Sequence, residues 1–172
     1  MIEGIATMTT NTQNDVKLLG DKIKGIRIAM MTTVETDGSL RSRPMATQDM
    51  EFDGDLWFFT KASAPKVDDV QRDEQVNLGY SKPDENLFVS VSGTAQLVRD
   101  RQKMDELWKP ALKAWFPNGK EDPDLALLKV TVESAEYWDA PSGIMGRLYV
   151  VTKGLATGGK DSGGEDVKLN LK

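Results

Sequence analysis

The stretch Arg41–Lys66, RSRPMATQDMEFDGDLWFFTKASAPK, holds two strand patterns joined by a turn and then the start of a helix. Asp53-Gly54 can take the positive φ angles of a tight hairpin turn, so antiparallel pairing about Phe52–Asp55 is predicted to lay Arg41–Met45 beside Leu56–Thr60. That pairing would gather Arg41 and Arg43 from the first strand with Lys61 and Lys66 from beyond the second, the Thr60 and Ser63 hydroxyls lying between the lysines. Guanidinium forks, ammonium groups and hydroxyls at a helix start make a phosphate cradle. The same residues also fit a hairpin with a solvated cationic edge, and residue types alone do not choose between the two.

Working outward, Met1–Asn14 is rich in Thr and Asn without apolar periodicity and reads as a flexible lead-in, with a single domain over 15–172. Asp15 can cap a helix over 15–25 whose apolar positions Val16, Leu18, Leu19, Ile23 and Ile26 approximate one face, although Gly20 weakens it. Ile26–Val34 is a strand, and Glu35-Thr36-Asp37-Gly38 turns it into the next. Pro44 cannot donate to a ladder, which places its strand at an edge or a bulge. LWFFT is a continuous apolar run and reads as a strand buried on most sides. Ser63 is the predicted N-cap of a helix reaching Arg72, with Pro65 in its first turn, and Asp68 and Asp69 near its start would compete with a bound phosphate.

Gln75–Tyr80 and Leu87–Val98 read as strands, with Gly93 marking a bend or bulge in the second. Asp100–Phe116 has helical apolar spacing broken at Pro110, and Trp108 reads as core. Leu127–Trp138 is the last long strand, GRLYVVTKGLATG fits a helix or a strand, and Asp166–Leu171 reads as a terminal strand. This inventory predicts a mainly β chain, an antiparallel barrel with short helices.

Composition narrows the chemistry. The 172 residues contain no cysteine and no histidine, which removes disulfides, thiolate and imidazole metal sites, thiol catalysis and any Ser-His-Asp triad. A net charge of −5 argues against a general nucleic-acid or anionic-membrane surface. No apolar run approaches a membrane span, the first residues lack the basic and apolar regions of a signal peptide, and the expected compartment is the cytoplasm.

Taken jointly, Arg41-Ser42-Arg43-Pro44-Met45, Leu56-Trp57-Phe58-Phe59-Thr60, Ser63-x-x-Lys66 and Glu136-Tyr137-Trp138 resemble the general stress protein branch of the pyridoxamine phosphate oxidase-like flavoproteins, over Val16–Val151. The resemblance implies an FMN-binding split barrel that works as a homodimer, with the flavin at the interface. It matches Arg43 to the arginine that holds the FMN phosphate, with Arg41 beside it, and passes Pro44, Met45 and Ala46 under the isoalloxazine ring. It sets Phe59 and Thr60 at flavin contacts and Ser63 and Lys66 at the phosphate end, and brings Trp138 to the flavin or the interface from the partner subunit.

The departures are as informative. Pyridoxamine phosphate oxidases carry a substrate-binding lysine five positions after the arginine, where this chain has Gln48, and an Arg-x-His near the C-terminus, where it has no histidine. The expectation is therefore an FMN-dependent oxidoreductase of unknown substrate that is not a genuine pyridoxamine phosphate oxidase. A non-catalytic flavin-binding or stress-response module, and a split barrel holding another anionic cofactor such as a deazaflavin or haem, stay open beside it. No catalytic residue and no metal ligand stands out.

Overall fold

A computed structural model describes residues 3–141, 153, 155 and 164–172, with side chains from residue 12 onward. Helix α1 (Glu3–Ile23) leads into strands β1 (Ile28–Val34), β2 (Leu40–Ala46) and β3 (Asp55–Lys61), followed by helix α2 (Pro65–Arg72). Strands β4 (Gln75–Lys82) and β5 (Leu87–Val98), helix α3 (Arg101–Leu107), and strands β6 (Leu125–Asp139) and β7 (Glu165–Asn170) follow among the described residues. All seven strands form one antiparallel sheet, ordered β2-β1-β4-β5-β6-β3 with β7 added to β6, and the sheet curls into a half-barrel.

The first hairpin follows its local chemistry. Gly38 has φ 82°, the Glu35 amide donates to the Ser39 carbonyl over 2.8 Å, and Ile28–Val34 pairs with Ala46–Leu40 without a break. β2 is a sheet edge, so Pro44 sits where its missing N–H withholds nothing from a neighbour, and the unbroken register rules out the bulge alternative.

The second hairpin does not form. The Asp53-Gly54 turn is present, with Gly54 at φ 114°, but β3 pairs with β6, Phe58 opposite Leu128, and not with β2. Two contacts divert the chain. Thr47 continues the β1 pairing, its amide donating to Arg27 O and its hydroxyl to Ile26 O, and Phe52 packs on α1 where Gly20 leaves room for it. A side chain at Gly20 would put its Cβ 3.2 Å from that of Phe52, so the glycine that weakens the helix pattern serves packing. Beyond the turn, the Val132 amide donates to Gly54 O and hands the strand to β6.

Burial on both faces explains the unbroken apolar run. Phe58 faces the main core with Leu19, Met31, Leu78, Val91 and Val130, while Phe59 faces a second cluster of Met104, Leu107, Leu112, Leu125 and Leu127. Each such side chain contributes about 1.5–3 kcal/mol when buried. Trp108 packs edge-on to Phe59, ring centroids 5.6 Å apart, in accord with its expected core role. Asp100 caps α3 by accepting from the Lys103 amide, and the chain after Pro110 is a short 3-10 turn. Gly93 lies at a register shift between β5 and β6, the predicted bulge.

Helix α1 begins at Glu3, well before the expected start at Asp15. The Thr- and Asn-rich segment contains no proline, and once Leu19 and Ile23 are packed, extending a helix is far easier than nucleating one. Most of GRLYVVTKGLATG lies outside the described residues.

Candidate functional site

Arg43 is built into the inner face of the sheet. Its cross-sheet row is Arg43, Met31, Leu78, Val91, Ala135 and Leu169, and the other five are buried and apolar. A guanidinium there, 21% exposed, needs partners. Its Nη1 donates to Thr33 Oγ1 over 2.7 Å and its Nη2 to Asp69 Oδ2 over 2.9 Å, while Glu35 Oε1 lies 3.6 Å away. Thr33 in turn donates to Asp69 Oδ2 over 3.1 Å. Burial pushes the Asp69 carboxyl up, but the bonds from Arg43 and Thr33, the Arg43 charge and a bond from Arg72 outweigh it and hold the group below the ordinary carboxylate range.

Asp69 comes from α2, one turn after Lys66. Pro65 opens that helix at a position whose amide has no intrahelical acceptor, and Ala64, not Ser63, is the N-cap. Lys66 is half-buried and has no carboxylate partner among the described residues. Burial, and then the positive charge of Arg43, lower its pKa. Lys66 thus lies within reach of the Arg43 charge near the start of α2, and an anion bound by both would relieve the repulsion.

The other predicted site residues are dispersed. Arg41 shares the face of Arg43 but is exposed and engaged with Glu35 through Nε and Nη2, the latter at 3.1 Å. Ser63 is tied down, its amide and hydroxyl both donating to the Asp124 carboxylate, so a phosphate would have to displace Asp124 to use it. That tie also explains why Ser63 does not cap α2. The Thr60 hydroxyl is buried and donates to Lys61 O over 3.3 Å, and the Phe59 ring is turned into the second cluster. Met45 is likewise core, which leaves Pro44 and Ala46 of that segment on the outer face. Gln48 donates to Ala46 O over 3.3 Å and brings no charge to the place a lysine would hold.

The outer face has a character of its own. The row Ser42, Thr32, Asn77, Ser92, Ser134 crosses five strands without a charged residue, and the next, Pro44, Met30, Gly79, Ser90, carries none until Glu136. Side chains there bond one another, Thr32 with Ser42 at 2.7 Å and Asn77 with Ser90 at 2.8 Å. Trp138 and Phe88 stand opposite each other on this face, 40% and 46% exposed. Arg43 lies on the opposite face with three strands between, so Trp138 cannot join Arg43 and Lys66 within one chain. Thr33, Asp69 and Asp124 escaped the sequence reading as site residues. The one available signal was that Lys66, Asp69 and Val70 share a face of α2 by helical spacing.

The fold has counterparts. The family model described as pyridoxamine 5'-phosphate oxidase like matches residues 14–162, and the chain belongs to that family. Within it the general stress proteins are similar. General stress protein 26 from Jannaschia sp. CCS1 superposes with a TM-score of 0.71 at 27% identity, covering 92% of this chain and 99% of that one. The general stress FMN/FAD binding protein from the phytopathogen Xanthomonas citri gives 0.66 at 28% identity, covering 77% and 93%. Protein bli-3 of Neurospora crassa is 33% identical over 165 residues, 89% of this chain and 79% of its own length. No helix among the described residues is long and apolar enough to cross a membrane.

Proposed function

We propose that the protein is an FMN-binding flavoprotein of the general stress type, a cytoplasmic homodimer and a flavin-dependent oxidoreductase acting on a small molecule other than pyridoxamine or pyridoxine phosphate. The observation that carries this reading is Lys66, a half-buried ammonium within reach of the Arg43 charge and with no carboxylate partner among the described residues. Placing it there is unfavourable until an anion arrives, and a terminal phosphate fits: Arg43 offers the N–H groups its own contacts leave over, and Lys66 a compact charge. The name of the Xanthomonas citri relative, an FMN/FAD binding protein, supports a flavin as the bearer of that phosphate.

When bound, the flavin ring supplies the electron-transfer chemistry, so a chain without histidine or cysteine is no poorer for it. The protein's part is to hold the phosphate at Arg43 and Lys66, leave Pro44 and Ala46 free to pass along the ring, and keep water off through a second copy. The outer face, uncharged across β2, β1, β4 and β5 and with exposed Trp138 and Phe88 at its β5–β6 side, suits that second copy, and from it Trp138 would approach the partner's site. Gln48 in place of a lysine, and the missing histidine, remove the groups that would hold a vitamin B6 phosphate.

Absorbance of the freshly purified protein, followed by titration of the flavin-free chain with FMN and riboflavin, tests this. A flavin spectrum and a clear preference for FMN are expected. A colourless protein with equal weak affinity for both would overturn the reading, and turnover with NAD(P)H separates an oxidoreductase from a flavin-binding module without turnover.

A further inference from the structure

Arg43 is held by side chains from two elements, Thr33 of β1 and Asp69 of α2. Thr33, Thr60 and Asp69 are the buried polar or charged residues among those described, and two of the three serve this one guanidinium. The contacts close a ring: Nη1 donates to Thr33, Nη2 to Asp69, and Thr33 to Asp69. Asp69 is fixed from its other side, Oδ1 accepting from Arg72 at 3.4 Å while Arg72 donates to Val34 O at 2.6 Å. A buried ion pair of this kind is poor evidence of stabilisation, since well-packed apolar residues commonly replace one without loss. What the ring does secure is orientation. With both terminal nitrogens anchored, the Nε–H and the second N–H of Nη1 are left for a ligand, their direction set before it arrives, while Nη2 also has Glu35 Oε1 at 3.6 Å.

Resting on the phosphate site proposed above, we infer that Asp69, together with Thr33, is a positioning residue that aims the Arg43 guanidinium at the FMN phosphate and so sets the preference for FMN over riboflavin. The alternative is that Asp69 is merely a negative charge near an anion site. The two predict opposite signs. Asp69→Asn keeps the shape and removes the charge: a bystander's removal would tighten FMN, whereas loss of a positioning partner weakens it.

Thr33→Val makes the same test with no change in charge. Outer partners that orient the ligands of a metal are typically worth ten- to a hundred-fold in affinity, and by the same logic each variant is expected to lose roughly tenfold in FMN affinity. Riboflavin affinity should be unchanged, and Asp69→Glu should recover part of the loss. Thermal unfolding of the flavin-free variants shows whether each still folds, and the ratio of FMN to riboflavin affinity, taken by fluorescence titration of the folded variants, reads out aim and not stability. If FMN binds Asp69→Asn more tightly, or Thr33→Val keeps the wild-type ratio, the positioning role is overturned. If the wild-type chain shows no preference for FMN, or Arg43→Ala keeps it, the phosphate site itself has failed and the inference with it.

Discussion

An ideal Cβ built on Gly93 lies 2.2 Å from the carbonyl oxygen of Thr131 and 3.1 Å from the Cα of Val132, inside the backbone of the neighbouring strand. No rotamer relieves that contact, because the atoms it meets are main chain. The bulge between β5 and β6 therefore requires glycine for close approach and not for φ freedom. Gly93→Ala is expected to destabilise the protein by about 3 kcal/mol or more, the upper end for overpacking, as read from urea unfolding. A variant as stable as the wild type would mean that the two strands can part without loss.

Arg43, Lys66 and Arg41 should separate cleanly. Charge-assisted hydrogen bonds are worth about 1.5–3 kcal/mol, so Arg43→Ala and Lys66→Ala should each weaken FMN by roughly ten- to a hundred-fold and leave riboflavin almost untouched. Arg41→Ala should cost much less, since Arg41 is exposed and already engaged with Glu35. Added salt should weaken FMN more steeply than riboflavin. Equal losses for the two flavins would place these cations in the service of the fold.

The alkaline limb of stability should report Lys66. Its folded pKa is lowered, by burial and then by Arg43, so between that value and the unfolded 10.5 the unfolded chain carries a proton that the folded chain has shed. Stability of the flavin-free protein therefore rises with pH across that window, and the penalty for a charged Lys66 is fully present below it. Lys66→Met should accordingly be more stable than the wild type at neutral pH, with an advantage that fades towards pH 10.5, in denaturant titrations run across that range. The same substitution should weaken FMN.

Light scattering at micromolar concentration should give twice the chain's 19.0 kDa. Phe88→Glu or Trp138→Glu, each replacing an exposed aromatic ring of the outer face with a charge, should yield monomer with its secondary structure intact and with flavin bound more weakly. A wild-type monomer that still holds flavin would refute both the dimer and the shared site.

How much of this could be read from residues follows from how locally each feature is determined. The β1–β2 hairpin was legible because Glu35–Gly38 and the flanking strands contain the whole instruction. Pro44 at an edge and Gly93 at a bulge were legible because each residue forbids the alternatives. The partner of β3 was not. Asp53-Gly54 turns the chain, but what it turns towards is decided by Phe52 on Gly20 and by a strand far along the sequence. At the site, Lys66 lies within reach of the Arg43 charge, yet Ser63 is bound to Asp124 and Phe59 points elsewhere, because neighbours from distant segments compete for the same groups. Asp69 reads in one dimension as a rival of the phosphate and in three as the anchor of the arginine.

The pairing of β3 with β6 also bears on how the chain is made. Phe58 meets Leu128, which leaves the ribosome about seventy residues later, an interval of roughly 4 to 14 seconds at ordinary rates of synthesis. Throughout that time LWFFT is an unpaired apolar segment, the kind that nascent chains lose to aggregation. Asp55 and Lys61 close its two ends with charge, and in the finished protein Asp55 meets Lys129 at 2.8 Å. Those two charges act earliest as guards on a strand still waiting for its partner to be translated.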